Sequence, residues 1–372
     1  MDGLIYFDNA ATSGKKPIEV VNAVDYALKN LSANPGRSGH KLSQLAAEKV
    51  YNSRKKVAEY FGCDDAENVV FTANCTQSIN YVLKGVLERG DHIVVSDLEH
   101  NAVMRPLKSM GIQYSTAEVS LTDDEITLKN FKSAIRQNTK MIFCTLASNV
   151  LGKILPIQQI GELCKSKSIL FGVDAAQGAG ILNIDMNKMN IDFLCVAPHK
   201  GLYAPMGIGI LIANKPIRNT IIEGGTGTNS LDYSQPDIMP ERFESGTLNL
   251  PGIVAVFYGI DFVNKKGRCI YDYEMKLVDR LYNGLSVNKK AILYTKPTRH
   301  KYAPVLPFNI IGKSSDETAD FLNKNGFALR AGLHCAPSAH RKIKTEEIGA
   351  VRFSPSVFNF EWEVDKLLRV LA

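Results

Sequence analysis

The chain has 372 residues, of which 45% are hydrophobic, and its formal net charge is +6, so it can form two domains with a large buried core. The basic residues are scattered, which argues against a nucleic-acid-binding surface, and no apolar run reaches the length needed to cross a membrane. Residues 1–8 lack the basic and apolar regions of a signal peptide, so we expect no secretion. Seven cysteines without a CxxC pair predict a reduced, cytoplasmic protein. From the charge distribution and the apolar runs we expect it to bind neither nucleic acid nor membrane.

Helical periods and short β-rich runs alternate from about residue 17 to residue 250. The predicted helices span 17–31, 42–61, 77–88, 128–135 and 157–164. The predicted strands span 68–72, 92–96, 113–119, 141–146, 169–173, 191–196 and 207–213. Such alternation is typical of an α/β fold, here with a mostly parallel seven-stranded sheet covered on both faces. Ligands of these folds bind at the carboxyl ends of the strands.

The pattern changes after residue 252. A long helical stretch over 253–285 is followed by proline-containing strands over 291–311, a helix near 316–325 and a terminal helix from Glu361. These elements predict a smaller α+β domain. We therefore expect a large cofactor-binding domain over residues 15–252 and a small domain formed by residues 1–14 and 253–372.

Lys200 and Asp174 are the most informative residues, because each follows an apolar, strand-like run. A lysine at the rim of a buried sheet is costly unless it is paired or used, and its amine can form a Schiff base with an aldehyde. A carboxylate at the end of a nearby strand could hold a pyridinium nitrogen protonated. Together they predict a pyridoxal 5'-phosphate site. The alternatives are a surface lysine and a helix-capping aspartate.

Three further segments follow strands in the same way. Cys75 and Thr76 begin a helix whose free N–H groups could bind a phosphate, although ordinary helix capping explains the same residues. His100 could stack on a pyridine ring and relay protons, or be a solvent-exposed loop histidine. Asn149 could reach the phenolic oxygen of the cofactor or a substrate carboxylate, or be a turn residue before Gly152.

Seven strings in order resemble the class V aminotransferase family of fold-type I pyridoxal-phosphate enzymes, over residues 6–360. They cover residues 7–12, 34–40, 99–100, 148–152, 173–177, 199–200 and 243–247. The resemblance implies that Lys200 is the Schiff-base lysine, that Asp174 pairs with the ring nitrogen and that His100 stacks on the ring.

The same resemblance assigns the remaining cofactor contacts. Gln177 would bond the phenolic oxygen, while Thr76 and His199 would hold the phosphate. Thr247 would reach the phosphate of a neighbouring subunit, which implies a homodimer with sites at the interface.

Within this class, the segment Leu329 to Pro337 is similar to that of the cysteine desulfurases, and the short stretch from Cys335 to Arg352 resembles their group II, short-loop type. The resemblance implies that L-cysteine binds, that Lys200 removes its α-proton, and that the Cys335 thiolate takes the sulfur as a persulfide for an acceptor protein. Alanine is the other product, and iron–sulfur clusters or thiolated cofactors would use the sulfur. Arg330 and Arg352 suit a bidentate grip on the substrate carboxylate, and with His334 they suggest an electropositive setting for the thiol.

Other interpretations stay open on sequence. L-selenocysteine could be the substrate of a selenocysteine lyase on the same scaffold, and another aminotransferase or lyase of the class would not need Cys335. A binding protein without catalysis draws its only support from Ala197 and Pro198, which replace a hydroxyl-Gly pair usual in the family. Zinc at His334, Cys335 and His340 is less favoured than a catalytic thiol because a fourth ligand is missing nearby, so we expect no metal.

Overall fold

The computed structural model describes residues 3–228 and 230–372, and its centre is a seven-stranded sheet. The strands, in chain order, are β2 (Val69–Thr72), β3 (His92–Ser96), β4 (Gln113–Ala117), β5 (Thr139–Thr145), β6 (Leu170–Asp174), β7 (Phe193–Val196) and β8 (Gly209–Ala213), after a short β1 (Ile5–Tyr6) outside this sheet. Their order across the sheet is β2-β8-β7-β6-β5-β3-β4. The pairs from β7 to β4 are parallel, while β8 runs antiparallel to both neighbours. The predicted mostly parallel seven-stranded sheet is confirmed.

Helices cover both faces of this sheet. They are α1 (Ile18–Asn30), α2 (Lys41–Phe61), α3 (Cys75–Val86), α4 (Asn101–Met110), α5 (Asp124–Ala134), α6 (Ile157–Lys167) and α7 (Leu250–Lys266). Apolar residues of α1, α2, α6 and α7 pack in one cluster, and those of α3 and α4 pack in a second. Strands buried on both faces need continuous apolar runs, which is what the sequence of β5 to β8 provides.

A third apolar cluster belongs to a smaller unit. Its elements are β9 (Ala291–Leu293), β10 (Leu306–Ile310), β11 (Phe327–Ala328), β12 (Val351–Phe353), α8 (Cys269–Ser286), α9 (Ser315–Lys324) and α11 (Glu361–Leu371). The short α10 (Pro337–Lys342) lies in the same part of the chain, but its buried Ala339 packs in the first cluster. β12, β10 and β9 form an antiparallel sheet, and β1 pairs in parallel with β11. The amino-terminal strand therefore lies with the carboxy-terminal elements. The division at residues 14 and 252 stays a prediction, and α7 packs on α1 and α2 rather than within the third cluster.

The helices differ from the sequence expectation in three places. Neither α4 nor the six-residue α10 was predicted, and in α4 the cause is Pro106, since prolines are rare inside helices. The stretch predicted as one helix over 253–285 is α7 and α8, separated at Gly267, which has a φ of 54°. Left-handed φ values are open to glycine at little cost and end helices, but the apolar periodicity continues across the break and conceals it. No helix within the described residues is long and apolar enough to span a bilayer.

Candidate active site

A cleft with about 560 Å³ of space lies at the carboxyl ends of the sheet strands, where the alternating pattern predicts a ligand. Eight of the twelve predicted site residues line it, namely Cys75, Thr76, His100, Asn149, Asp174, Gln177, His199 and Lys200. The fold therefore brings together residues from four strand-end loops and a helix start. Cys335, Arg330, Arg352 and Thr247 lie outside this lining and are described separately below.

Lys200 and Asp174 come from neighbouring parallel strands. Asp174 ends β6 and is 4% exposed, and its Oδ1 accepts a hydrogen bond from the Ala176 N–H at 2.9 Å. Lys200 lies four residues beyond β7, in the tight turn that β7 leads into. Desolvation lowers the pKa of Lys200, and the negative charge of Asp174 opposes that shift. A lysine with a lowered pKa is partly available as a neutral amine, the form that attacks carbonyls and accepts protons.

The first turn of α3 is the second wall of the cleft. Asn74 caps this helix by accepting a hydrogen bond from the Gln77 N–H at 3.0 Å. Cys75 and Thr76 precede the first intrahelical hydrogen bond of α3, so their N–H groups are left to bind an anion at the positive end of the helix dipole. The Cys75 thiol lies 3.7 Å from Asp174 Oδ1, and burial raises its pKa, so it stays protonated and donates to the carboxylate.

Two half-buried histidines in the cleft are neutral. Desolvation, with the charges of Lys200 and Lys16, lowers the pKa of His199 to about 4, and its buried Nδ1 has no hydrogen-bond partner within the described residues. Desolvation also lowers the pKa of His100, whose Nδ1 accepts from the Ala102 N–H at 3.0 Å. That contact makes His100 the cap of α4 and fixes the orientation of its ring.

Pyridoxal phosphate fits this set of residues. A free lysine, a buried carboxylate, a helix start and an unpartnered imidazole nitrogen supply the four kinds of contact that an aldehyde, a pyridine nitrogen and a phosphate require. Ala197 stands where related proteins usually have a hydroxyl-bearing residue. No other side chain of the turn 197–201 carries a hydroxyl.

The two amide side chains in the cleft are partly engaged by backbone groups. Gln177 Nε2 donates to the Ala10 carbonyl at 2.8 Å. Asn149 Nδ2 donates to the His334 carbonyl at 2.7 Å. Each amide therefore ties the cleft to another segment, and its oxygen and second N–H are left for a ligand.

The two predicted substrate-binding arginines meet through their backbones rather than as a free pair of guanidinium groups. The Arg352 N–H donates to the Arg330 carbonyl at 2.9 Å. Arg352 is 1% exposed, and its guanidinium donates to Asp8 at 2.7 Å and to the Asn149 carbonyl at 3.0 Å. Its buried Nε has no partner within the described residues. Arg352 thus joins the amino terminus, the cleft and β12, and Arg330 is the more accessible of the two.

Cys335 lies in a turn docked against the large sheet unit. His334 and Cys335 have φ values of 50° and 57°, a left-handed conformation that non-glycine residues rarely adopt. The Cys335 carbonyl accepts from the Asn101 N–H at 2.7 Å, one residue from His100. Because the Asn149 contact holds the preceding carbonyl as well, two hydrogen bonds hold this exposed cysteine next to the cleft.

The structure corrects one part of the predicted setting of Cys335. His334 is 3% exposed, and desolvation together with Arg352 lowers its pKa to about 2. A neutral imidazole adds no positive charge, so the interpretation of His334 as part of an electropositive setting was wrong. Arg330 and Arg352 are the cations of this region, and Thr247 is exposed in a separate loop after Gly246.

Several residues of the site were missed from sequence. Asp8 was quoted only as part of a string, although it pairs with Arg352, and Asn101 was not singled out because α4 was not predicted. Glu99 is fully buried behind His100, where desolvation raises its pKa to about 8. Its place three residues beyond the end of β3, among the other strand-end residues, is the signal that could have identified Glu99.

Comparison with known proteins agrees with this geometry. Residues 5–367 match the family described as aminotransferase class-V. A probable cysteine desulfurase of Pyrococcus abyssi is 34% identical, with 99% of this chain and 93% of that protein aligned. One of Methanothermobacter thermautotrophicus is 30% identical, with 98% and 92% aligned. The apo structure of a cysteine desulfurase from Thermococcus onnurineus superimposes with a TM-score of 0.87 at 32% identity, covering 99% of this chain and 94% of that one.

The fold and the cleft therefore define an α/β protein of the pyridoxal-phosphate fold type I. The chain belongs to the aminotransferase class-V family.

Proposed function

We propose that this chain is a pyridoxal-phosphate-dependent cysteine desulfurase that converts L-cysteine to L-alanine and carries the sulfur as a persulfide on Cys335. The observation that carries the proposal is the docking of the exposed Cys335 turn on Asn101 and Asn149, beside a cleft that contains a lysine and a carboxylate. Relatives across the whole chain are named probable cysteine desulfurases. An aminotransferase or simple lyase has no need of a cysteine held at this place.

The cofactor would be held by the residues of the cleft. The first turn of α3 with His199 would bind its phosphate, Asp174 its ring nitrogen, and Gln177 its phenolic oxygen, while His100 would lie against the ring. When bound, pyridoxal phosphate supplies an aldehyde for amino groups and an electron sink for the substrate α-carbon. The buried carboxylate of Asp174 would favour a protonated ring nitrogen in the bound cofactor.

Two side chains of this protein, Lys200 and Cys335, carry out the bond-making and proton-transfer steps. The neutral form of Lys200 accepts the α-proton of L-cysteine and later returns a proton to the product. The Cys335 thiolate forms an S–S bond with the substrate sulfur as the C–S bond breaks, and the electron pair of that bond stays with the β-carbon, which gains a proton and becomes the alanine methyl group. Arg330, half-buried beside Cys335, would bind the substrate carboxylate, with Asn149 Oδ1 and Arg352 completing the site.

We also propose the oligomeric state, the sulfur acceptor and the cellular compartment of the enzyme. A homodimer is supported by Thr247, which is exposed and outside the cleft of its own chain, where the phosphate of a second subunit could meet it. A sulfur-acceptor protein, and delivery of sulfur for iron–sulfur clusters, are supported by the exposure of Cys335. A reducing cytoplasm is supported by the seven cysteines, all free thiols.

The test compares alanine and sulfide release from L-cysteine, with a reductant present, by wild type, Cys335→Ala and Cys269→Ala. Cys269 is the second exposed cysteine among the described residues and serves as the matched control. We expect Cys335→Ala to lose about a thousandfold or more in turnover, as removal of a nucleophile usually does, while the cofactor absorption band persists. Cys269→Ala should match wild type. Equal turnover of Cys335→Ala and wild type would refute the persulfide mechanism.

A further inference from the structure

A pair of buried imidazoles lies directly behind Cys335. The rings of His334 and His340 are nearly parallel, with centroids 5.5 Å apart, and His334 Nδ1 lies 3.3 Å from His340 Nε2. At one end of the pair, His334 Nε2 lies 3.3 Å from the Arg330 carbonyl oxygen. At the other end, His340 Nδ1 lies 2.8 Å from Thr345 Oγ1. All three side chains are at most 3% exposed, and neither His340 nor Thr345 lines the cleft.

The donors and acceptors in this row of hydrogen bonds allow only one direction, from Thr345 to the Arg330 carbonyl. A carbonyl oxygen only accepts, so His334 Nε2 carries a proton, and a neutral His334 then has a bare Nδ1. That nitrogen accepts from His340 Nε2–H, which leaves His340 Nδ1 bare to accept from the Thr345 hydroxyl. Both nitrogens of His334 are therefore engaged, and His334 is not free to act as a base for the Cys335 thiol.

The row of hydrogen bonds ends at the Arg330 carbonyl, in the segment that also carries Cys335. The Arg330 carbonyl accepts from both the Arg352 N–H and His334 Nε2. His334 and Cys335 are consecutive left-handed residues, each of which costs free energy unless neighbouring contacts hold it. The His334 ring is anchored by His340 of α10, while its carbonyl and that of Cys335 are anchored by Asn149 and Asn101 of the large unit.

We propose that His340 and Thr345 are positioning residues for sulfur transfer: through His334 they hold the Arg330–Cys335 turn so that the thiol meets the substrate sulfur. They touch neither substrate nor cofactor. The proposal rests on the proposed function for its activity readout, whereas its second readout does not depend on activity.

The first test uses the holoprotein and the pair Thr345→Val and Thr345→Ser. Valine has the shape of threonine but no hydroxyl, and serine keeps the hydroxyl. We expect Thr345→Val to lower kcat for sulfur release from L-cysteine about fivefold, the effect of one buried hydrogen bond, with KM unchanged and Thr345→Ser close to wild type. Loss of α-deuterium from labelled L-alanine, which needs Lys200 but not Cys335, should be unchanged in both variants. An equal loss in both reactions, or no loss in either, would overturn the proposal.

The second readout is the rate at which iodoacetamide alkylates Cys335, measured by peptide mass mapping, with Cys269 as the internal control. The rate at Cys335 should differ about threefold or more between Thr345→Val and Thr345→Ser, because the turn that presents the thiol has lost its anchor, while the rate at Cys269 stays the same. If wild type releases no sulfur, the proposed function fails. The alkylation rate of Cys335 then tests the positioning role by itself. Equal rates at Cys335 would then overturn the positioning role.

A second pair of variants covers the case in which Thr345→Val does not fold. His340→Gln keeps a side-chain N–H that can reach His334, whereas His340→Met has similar size without a donor. We expect the glutamine variant to retain about fivefold more sulfur release than the methionine variant. Equal activities of the two variants would contradict the direction of the hydrogen-bond chain.

Discussion

At the scale of single residues, the guanidinium of Arg352 near the cleft is a cation almost completely removed from water. Its partner is Asp8, whose side chain is 19% exposed, at 2.7 Å. Desolvation lowers the pKa of Arg352 and Asp8 opposes that shift. A buried cation that loses its partner carries the full cost of its desolvation, so the pair ties the amino terminus to β12.

We expect Asp8→Asn to lower the free energy of unfolding by about 2 kcal/mol, because the amide keeps a hydrogen-bond acceptor but removes the compensating charge. Asp272→Asn is the matched control. Its pair with Arg299 is about half exposed on both sides and should be worth less than about 1 kcal/mol. Urea unfolding of the three proteins measures both values, and equal losses would show that the Asp8–Arg352 pair does not behave as a buried one.

At the scale of elements, helix α8 carries a buried acid, Glu274, which lines a small cavity together with Lys200 and Tyr203. Glu274 is 3% exposed, and its Oε1 accepts from the Val357 N–H at 2.9 Å. Desolvation raises its pKa from 4.5 to about 8. Between these two values the folded protein keeps a proton that the unfolded chain has lost, so the contribution of Glu274 to stability falls as the pH rises.

The variant Glu274→Gln mimics the neutral acid at every pH. We expect it to be about as stable as wild type near pH 5 and more stable near pH 8, with the difference growing by at most about 1.4 kcal/mol per pH unit. Urea unfolding at several pH values measures that slope. Glu19→Gln, on the exposed face of α1, is the matched control. A flat difference for Glu274→Gln would mean that the acid ionises inside the fold.

At the scale of the whole molecule, the small helix α10 connects the Cys335 turn to the large sheet unit. Lys342, at the end of α10, lies 2.8 Å from Asp97 and 3.2 Å from Glu118, and its side chain is 13% exposed. Asp97 follows β3 and Glu118 follows β4. This ion-pair group therefore joins the segment after Cys335 to the edge of the central sheet.

We expect Lys342→Gln to raise amide hydrogen exchange in peptides covering residues 331–345 by about tenfold, because docking of this segment loses two charge-assisted contacts. Peptides from β5 and β6 should be unaffected. Arg341→Gln is the control, since its partner Glu346 lies in the same exposed segment. Increased exchange throughout the molecule would point to global destabilisation instead of local undocking.

The sequence by itself determined the sheet, most of the helices and the order of the strand-end residues. A short, continuous apolar run such as that of β6 is typical of a strand buried on both faces. Residues that follow parallel strands lie together at one edge of the sheet. Lys200, Asp174, His100 and the start of α3 were predictable for that reason, and the cleft contains them.

Only the tertiary structure decided the rest, because it depends on contacts between distant segments and on desolvation. Arg352 meets Asp8 across 344 positions of sequence, and Asn149 meets the His334 carbonyl across 185. The neutral state of His334 follows mainly from its burial, with the positive charge of Arg352 acting in the same direction. Periodicity describes which face of an element is buried, but it does not specify which polar atoms meet there, and those pairings set the pKa values and the position of Cys335.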